Sequence, residues 1–160
     1  MIAVLADTHM PKGSRRLPRR CVELIGEADA VIHAGDFFGV SALEELESLC
    51  PIVHAVYGNI DEPALRRSLP PMLEVEVGGK IVGIVHDAGP AQGRLARLRR
   101  RFPQAAAAVF GHSHLPLHEE ESGFQIFNPG SPTERRRAPR PSMGLLTCET
   151  RGLVFEHVWL

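Results

Sequence analysis

The sequence predicts an α/β fold with parallel strands at its centre. Three observations predict it. Short apolar runs at Ile2–Leu5, Ala30–Ala34 and Ile52–Tyr57 alternate with helical stretches, so the first part of the chain reads β-α-β-α-β. Strands in that order pair in parallel through right-handed crossovers. Each run also empties into polar residues, namely Asp7-Thr8-His9, Gly35-Asp36 and Gly58-Asn59. Beyond about residue 70 the texture changes to alternating strands joined by glycine turns.

The elements follow in order. Ile2–Leu5 is a strand that leaves through a Pro11-Lys12-Gly13 turn. From about Pro18 to Ile25, the apolar residues Cys21, Val22, Leu24 and Ile25 place a helix over the sheet. The second strand, Ala30–Ala34, hands over to Gly35, which permits a tight turn, and to Asp36, which projects where open α/β sheets place ligands. Ser41 with Glu44 three residues on predicts a capping box that opens a helix through about Leu49, stopped by Pro51. Ile52–Tyr57 is the third strand.

Met72–Val77 and Lys80–Val85 flank Gly78-Gly79 and predict a hairpin. Gly89–Phe102 is an arginine-rich helix. Ala105–Phe110 is a strand into Gly111-His112-Ser113-His114, and Phe124–Phe127 one into Asn128-Pro129-Gly130-Ser131. Met143–Cys148 and Leu153–Val158 form a closing hairpin, which leaves Pro132–Pro141 as the one long irregular loop. No repeat or boundary interrupts the chain, so residues 1–160 are expected to form a single domain.

Composition narrows the function classes. At 160 residues, 44% hydrophobic and 23% charged, the chain reads as a soluble globular protein, and no run approaches a membrane span. The formal net charge of -1 gives no global signal for nucleic acid or an anionic membrane. The start has no basic stretch before its apolar residues, so it is not read as a signal peptide. Cys21, Cys50 and Cys148 are odd in number and widely spaced, as expected of reduced thiols in a cytoplasmic protein.

Five strand ends carry residues of metal-ligand type: Asp7 with His9, Asp36, Asn59, His86, and His112 with His114. In a single sheet these ends would converge on one edge. Carboxylates, imidazoles and an amide oxygen form a mixed N/O set suited to Mn²⁺, Fe, Zn²⁺ or Ni²⁺, and a thiolate site is excluded. Seven side chains exceed what one ion takes from a protein, whereas two ions sharing one carboxylate would use them all.

The ordered set Asp7-x-His9, Gly35-Asp36, Gly58-Asn59-x-Asp61, His86 and Gly111-His112-x-His114 resembles the calcineurin-like metallophosphoesterase superfamily. The short chain and Asn128-Pro129-Gly130-Ser131 resemble its small bacterial and archaeal phosphodiesterase branch. The resemblance implies a four-layer α-β-β-α sandwich of two mixed β-sheets flanked by helices. It also implies two divalent ions per chain, Mn²⁺ foremost, with Fe, Zn²⁺, Ni²⁺ or Mg²⁺ as alternatives. Asp7, His9 and His114 would hold one, Asn59, His86 and His112 the other, and Asp36 would bridge them. Asp36, Asn59 and His86 would then be catalytic, with a hydroxide between the ions aligned for in-line attack on phosphorus.

Two departures from the family pattern bear on the substrate. Ile60 stands where phosphoprotein-phosphatase members carry a leaving-group histidine, so leaving groups that need little protonation are expected. His86-Asp87-Ala88 replaces the common His-Gly-His, which keeps the ligand but changes the surface beside it.

Asn59, Asp61, Ser131 and Arg135 are candidate substrate contacts, Arg135 as the first of four arginines with Arg136, Arg137 and Arg140. His33 and His54 lie inside strands and read as packed histidines, and His118 and His157 as surface ones. The expected function is hydrolysis of a small phosphodiester. The alternatives are a phosphomonoesterase and a weakly active or inactive protein-binding scaffold of the same fold. The apolar end Val158-Trp159-Leu160 could be core edge or a contact in a homo-oligomer.

Overall fold

The computed structural model describes residues 1–150 and 152–160. In chain order the elements are β1 (Ile2–Leu5), α1 (Arg19–Gly26), β2 (Ala30–His33), α2 (Val40–Leu49), β3 (Val53–Ala55), α3 (Pro63–Ser68) and β4 (Met72–Val77). They continue with β5 (Lys80–Val85), α4 (Arg94–Arg101), β6 (Ala107–Val109), β7 (Leu117–Glu121), β8 (Phe124–Asn128), β9 (Ser142–Glu149) and β10 (Gly152–Trp159).

The strands form two mixed sheets, ordered β10-β9-β1-β2-β3 and β4-β5-β6-β8-β7. β1 pairs in parallel with β2 and β2 with β3, and in the other sheet β5, β6 and β8 run parallel. Successive residues of a strand face opposite sides, and this alternation builds the layers. Ala3, Leu5 and Val31 turn outward onto Cys21, Leu24 and Ile25 of α1 and Leu46 of α2. Val4 and Ile32 turn inward and meet Val82, Ile84, Val109 and Phe127 of the second sheet. On that sheet's outer face Val85, Ala108 and Ile126 pack on Leu98 and on Phe102, just past the end of α4. The result is a four-layer α-β-β-α sandwich. No helix among the described residues is long and apolar enough to cross a membrane.

Several boundaries differ from the sequence expectation for identifiable reasons. Ser41 lies within α2 and makes no capping bond. The residue at the cap is Gly39, and the Val40 N–H donates to Glu62 Oε1 at 2.8 Å, so the cap comes from a distant loop. α4 starts only after Gly93, because Gly89 and Gly93 hold φ of +73° and +68° around Pro90. β7 is an edge strand with four exposed residues, His118 to Glu121, and carries no apolar signature. α3 is a short helix with proline in its first turn. The metal-type strand ends do not share one sheet: those after β1, β2 and β3 belong to the first, and those after β5 and β6 to the second.

Phe102 anchors the outer layer. It is fully buried, and its ring lies against Gly83, where any side chain would strike it. Phe102→Ala is expected to lower stability by about 3–5 kcal/mol, read as a lower urea midpoint with an unchanged slope.

Candidate metal centre

The loops after five strands converge at one end of the sandwich. The loops after β1 and β2 are zipped together, with Asp7 N–H donating to Gly35 O at 2.9 Å and His9 N–H to Asp36 O at 3.0 Å. The loop after β6 joins the second sheet's side, where Gly111 N–H donates to His86 O at 3.0 Å. Backbone conformation is unusual here. Asp7, His9, Asp36, His112 and His114 all have positive φ, between +49° and +69°. Asp and His tolerate this region better than most residues, but each such position still costs free energy. Gly35 and Gly58 bring the ends of β2 and β3 together. A Cβ on Gly35 would lie 2.8 Å from Gly58 N and 2.9 Å from His86 Nδ1, and one on Gly58 would run into the Asp36 carboxylate.

The side chains gather into two adjoining groups, Asp7-His9-His114 and Asp36-His86-His112. Asn59 completes the second, its Oδ1 lying 3.0 Å from His86 Nε2 and 2.8 Å from His112 Nδ1. Asp36 Oδ2 stands between the groups, 3.4 Å from His9 Nε2 and 3.3 Å from His86 Nε2. All seven residues singled out in the sequence are thus brought to one place. Asp7, His9, Asp36, His86 and His114 are buried while Asn59 and His112 are exposed, so the centre opens on their side.

The imidazole tautomers are set from outside. His86 Nδ1 donates to Ala34 O at 2.8 Å and His114 Nδ1 to Glu134 O at 2.9 Å, while His9 Nδ1 faces Glu134 Oε2 at 2.9 Å. Such partners fix the ring and leave Nε2 as a lone-pair donor for a metal. Those lone pairs then face carboxylate and amide oxygens, an arrangement that needs a cation between them. Asp7 Oδ2, His9 Nε2 and His114 Nε2 account for three of the four buried side-chain polar atoms without a partner among the described residues. Leaving such atoms unpaired costs about 1–3 kcal/mol each. Orphaned donors of mixed N/O type, grouped in threes, fit divalent cations.

Electrostatics point the same way. Burial pushes the Asp7 carboxyl up to about 7, against the lowering influence of His86, with Asp36 adding to the rise. Burial also acts to raise Asp36, but the neighbouring imidazoles of His86 and His9 outweigh it and hold that carboxyl well below the usual range. Burial by itself would lower His86, yet the adjacent Asp36 carboxylate and the charge of Asp7 raise it. Burial lowers His114 to about 4, so it stays a neutral imidazole at pH 7.

The supporting residues are largely ones that sequence reasoning placed elsewhere or missed. Asp61, a candidate substrate contact, spends its carboxylate on three backbone N–H groups, those of Asp36 at 3.1 Å, Phe38 at 2.7 Å and Gly58 at 2.7 Å. Ser131 Oγ donates to Asp7 O at 2.7 Å and accepts from Glu134 N–H at 3.0 Å, so its hydroxyl is spent within the loops. Arg135 folds back onto Ala138 O at 3.0 Å, and it is the neighbouring Arg136 whose charge reaches Asp7 and His114. Glu134 touches both His9 and His114 but lies in the Pro/Arg-rich loop with no motif to mark it. His157 is half-buried, with Nε2 donating to Asn128 O at 2.8 Å and its ring stacked on Phe127, which corrects its surface reading.

Comparison with known proteins supplies the wider setting. A profile of the calcineurin-like phosphoesterase superfamily domain matches residues 1–151. A probable metallophosphoesterase of Methanothermobacter thermautotrophicus is 32% identical over 139 residues, covering 85% of this chain and 79% of its own. A phosphodiesterase of Methanocaldococcus jannaschii is 24% identical, covering 81% of this chain and 82% of its own. Among solved structures, wild-type Vps29 from Entamoeba histolytica, complexed with zinc, superposes with a TM-score of 0.77 at 23% identity, covering 99% of this chain and 98% of that one.

His33 gives a test of the layer beneath the ligands. It is fully buried, hydrogen-bonded to Thr8 Oγ1 at 3.2 Å and stacked on Phe37. Burial lowers its pKa to about 3 from an ordinary 6.5, with His86 acting in the same direction. The unfolded chain therefore binds this proton while the folded chain does not, and the stability His33 contributes is present above pH 6.5 and lost as pH falls towards 3. Urea denaturation between those limits should show a steeper loss for the wild type than for His33→Gln, and equal slopes would contradict the assignment.

Proposed function

We propose that this chain, which belongs to the calcineurin-like phosphoesterase superfamily, is a cytoplasmic single-domain phosphodiesterase that works with two divalent cations, Mn²⁺ foremost. The carrying observation is the position of Asp36 Oδ2 between His9 and His86, with Asp7, His9 and His114 on one side and His86, His112 and Asn59 on the other. Asp7, His9 and His114 would hold one cation, Asn59, His86 and His112 the other, and Asp36 both. When bound, such a pair supplies Lewis acidity, neutralising phosphoryl oxygens and bringing the pKa of water towards neutrality.

The protein's own groups do the rest. Asn59, exposed at the mouth with its amide oxygen turned to His86 and His112, leaves its amide nitrogen to donate to a phosphoryl oxygen. Arg136, exposed and close enough to influence Asp7, adds positive charge on the approach of an anion. Ile60 follows Asn59 and its side chain has no ionisable proton, so the leaving oxygen departs without a donor from that side chain. This favours diesters with acidic leaving groups over phosphomonoesters of ordinary alcohols. The three free cysteines suit a reducing compartment. The binding-scaffold alternative is less well supported, because a scaffold has no need of seven complete donor side chains.

The test is hydrolysis of bis-p-nitrophenyl phosphate by Mn²⁺-loaded protein before and after chelation. Chelation should abolish turnover, and Asp36→Asn should lower kcat by a factor of about 100 or more. Metal-loaded protein that turns over no diester would favour the scaffold instead.

A further inference from the structure

A cavity of about 300 Å³ adjoins the centre on its open side. Asn59 and His86 belong to both, so the cavity opens directly beside the centre. The walls are Tyr57, Arg66, Pro71 and Val85. Tyr57 is half-buried and is the chain's single tyrosine. The Arg66 guanidinium lies 5.8 Å from the Tyr57 ring centroid. It is fixed in place, with Nε donating to Asp61 O at 2.8 Å and Nη2 donating to Asn59 O. The same loop that presents Asn59 to the centre therefore also orders the cation.

We infer that this cavity is the specificity subsite of the phosphodiesterase proposed above, and that it seats a planar aromatic ester group against Tyr57 and Arg66. The inference rests on that functional reading. Aromatic and guanidinium planes both stack on flat rings, and Pro71 and Val85 supply apolar surface for the ring edge. Because Arg66 is already held by two carbonyls, little ordering remains to be done when the ligand enters. The volume is at the small end for ligand pockets, enough for one ring system. Asp87 stands at the rim with its Oδ1 accepting from Gly89 N–H at 2.7 Å, and its negative charge opposes a substituent that carries a second phosphate. Simple alkyl esters leave the walls unfilled. Asp87 is also the residue that departs from the family pattern after His86, so the departure falls on the wall that meets substrate.

Phenylphosphonate and methylphosphonate carry the two kinds of group on a stable bond to phosphorus and test this directly. With Zn²⁺-loaded protein and tyrosine labelled with carbon-13 at its ring ζ-carbon, Tyr57 gives a single NMR signal. That signal should shift with phenylphosphonate and stay in place with methylphosphonate. As inhibitors of bis-p-nitrophenyl phosphate hydrolysis, the phenyl compound should be about tenfold or more the tighter, and Tyr57→Leu should bring the two together. Equal inhibition with an unmoved Tyr57 signal, in protein that does hydrolyse the diester, would overturn the subsite. Absence of diester hydrolysis under any metal would instead overturn the functional reading on which it rests.

Discussion

The structure depends on one carboxylate, that of Asp36, being held between two groups of imidazoles. Its Oδ2 faces His9 on one side and His86 on the other, and its Oδ1 accepts from Ile60 N–H at 2.9 Å. Two sheets must meet for this to happen, since His86 and His112 arrive from the second sheet and Asp7, His9, Asp36 and Asn59 from the first. The apolar layer of Val4, Ile32, Val82, Ile84 and Val109 sets the spacing between the sheets. The core positions the chemistry by fixing where strand ends lie.

Holding residues at positive φ costs about 1–3 kcal/mol each, and five of the seven side chains at the centre share that conformation. The offset comes from hydrogen bonds that no single loop could make alone. Asp61 gathers three N–H groups from two loops, and Ser131 and Thr133 donate to the carbonyls of Asp7 and Thr8. These bonds leave Asp7 Oδ2, His9 Nε2 and His114 Nε2 unpaired. The site is built for occupants that the polypeptide does not supply.

The sequence made the candidate ligands legible because they lie at or just past the ends of apolar strands and have residue types suited to a metal. Asp7, Asp36, His86 and His112 could be read in this way with no knowledge of the sheet partition. The partition itself was not legible, since an apolar run does not declare which sheet it joins. Glu134 and Arg66 were hidden for a related reason. They act across space from loops of mixed composition, and nothing in their local spacing signals a partner. Asp61 was visible as a motif residue, but its role depends on three N–H groups that only the folded chain brings within reach. The Ser41–Glu44 pattern misled because local capping chemistry was overridden by Glu62, a residue distant in sequence that reaches the same N–H.

The central claim is that Asp36 joins two metal positions into one centre. Electron paramagnetic resonance of the Mn²⁺-loaded protein tests it most directly. A shared carboxylate between neighbouring ions predicts an exchange-coupled multiline signal with about half the hyperfine spacing of an isolated ion, lost in Asp36→Ala. A spectrum of isolated Mn²⁺ ions at full loading, unchanged by that substitution, would contradict the account.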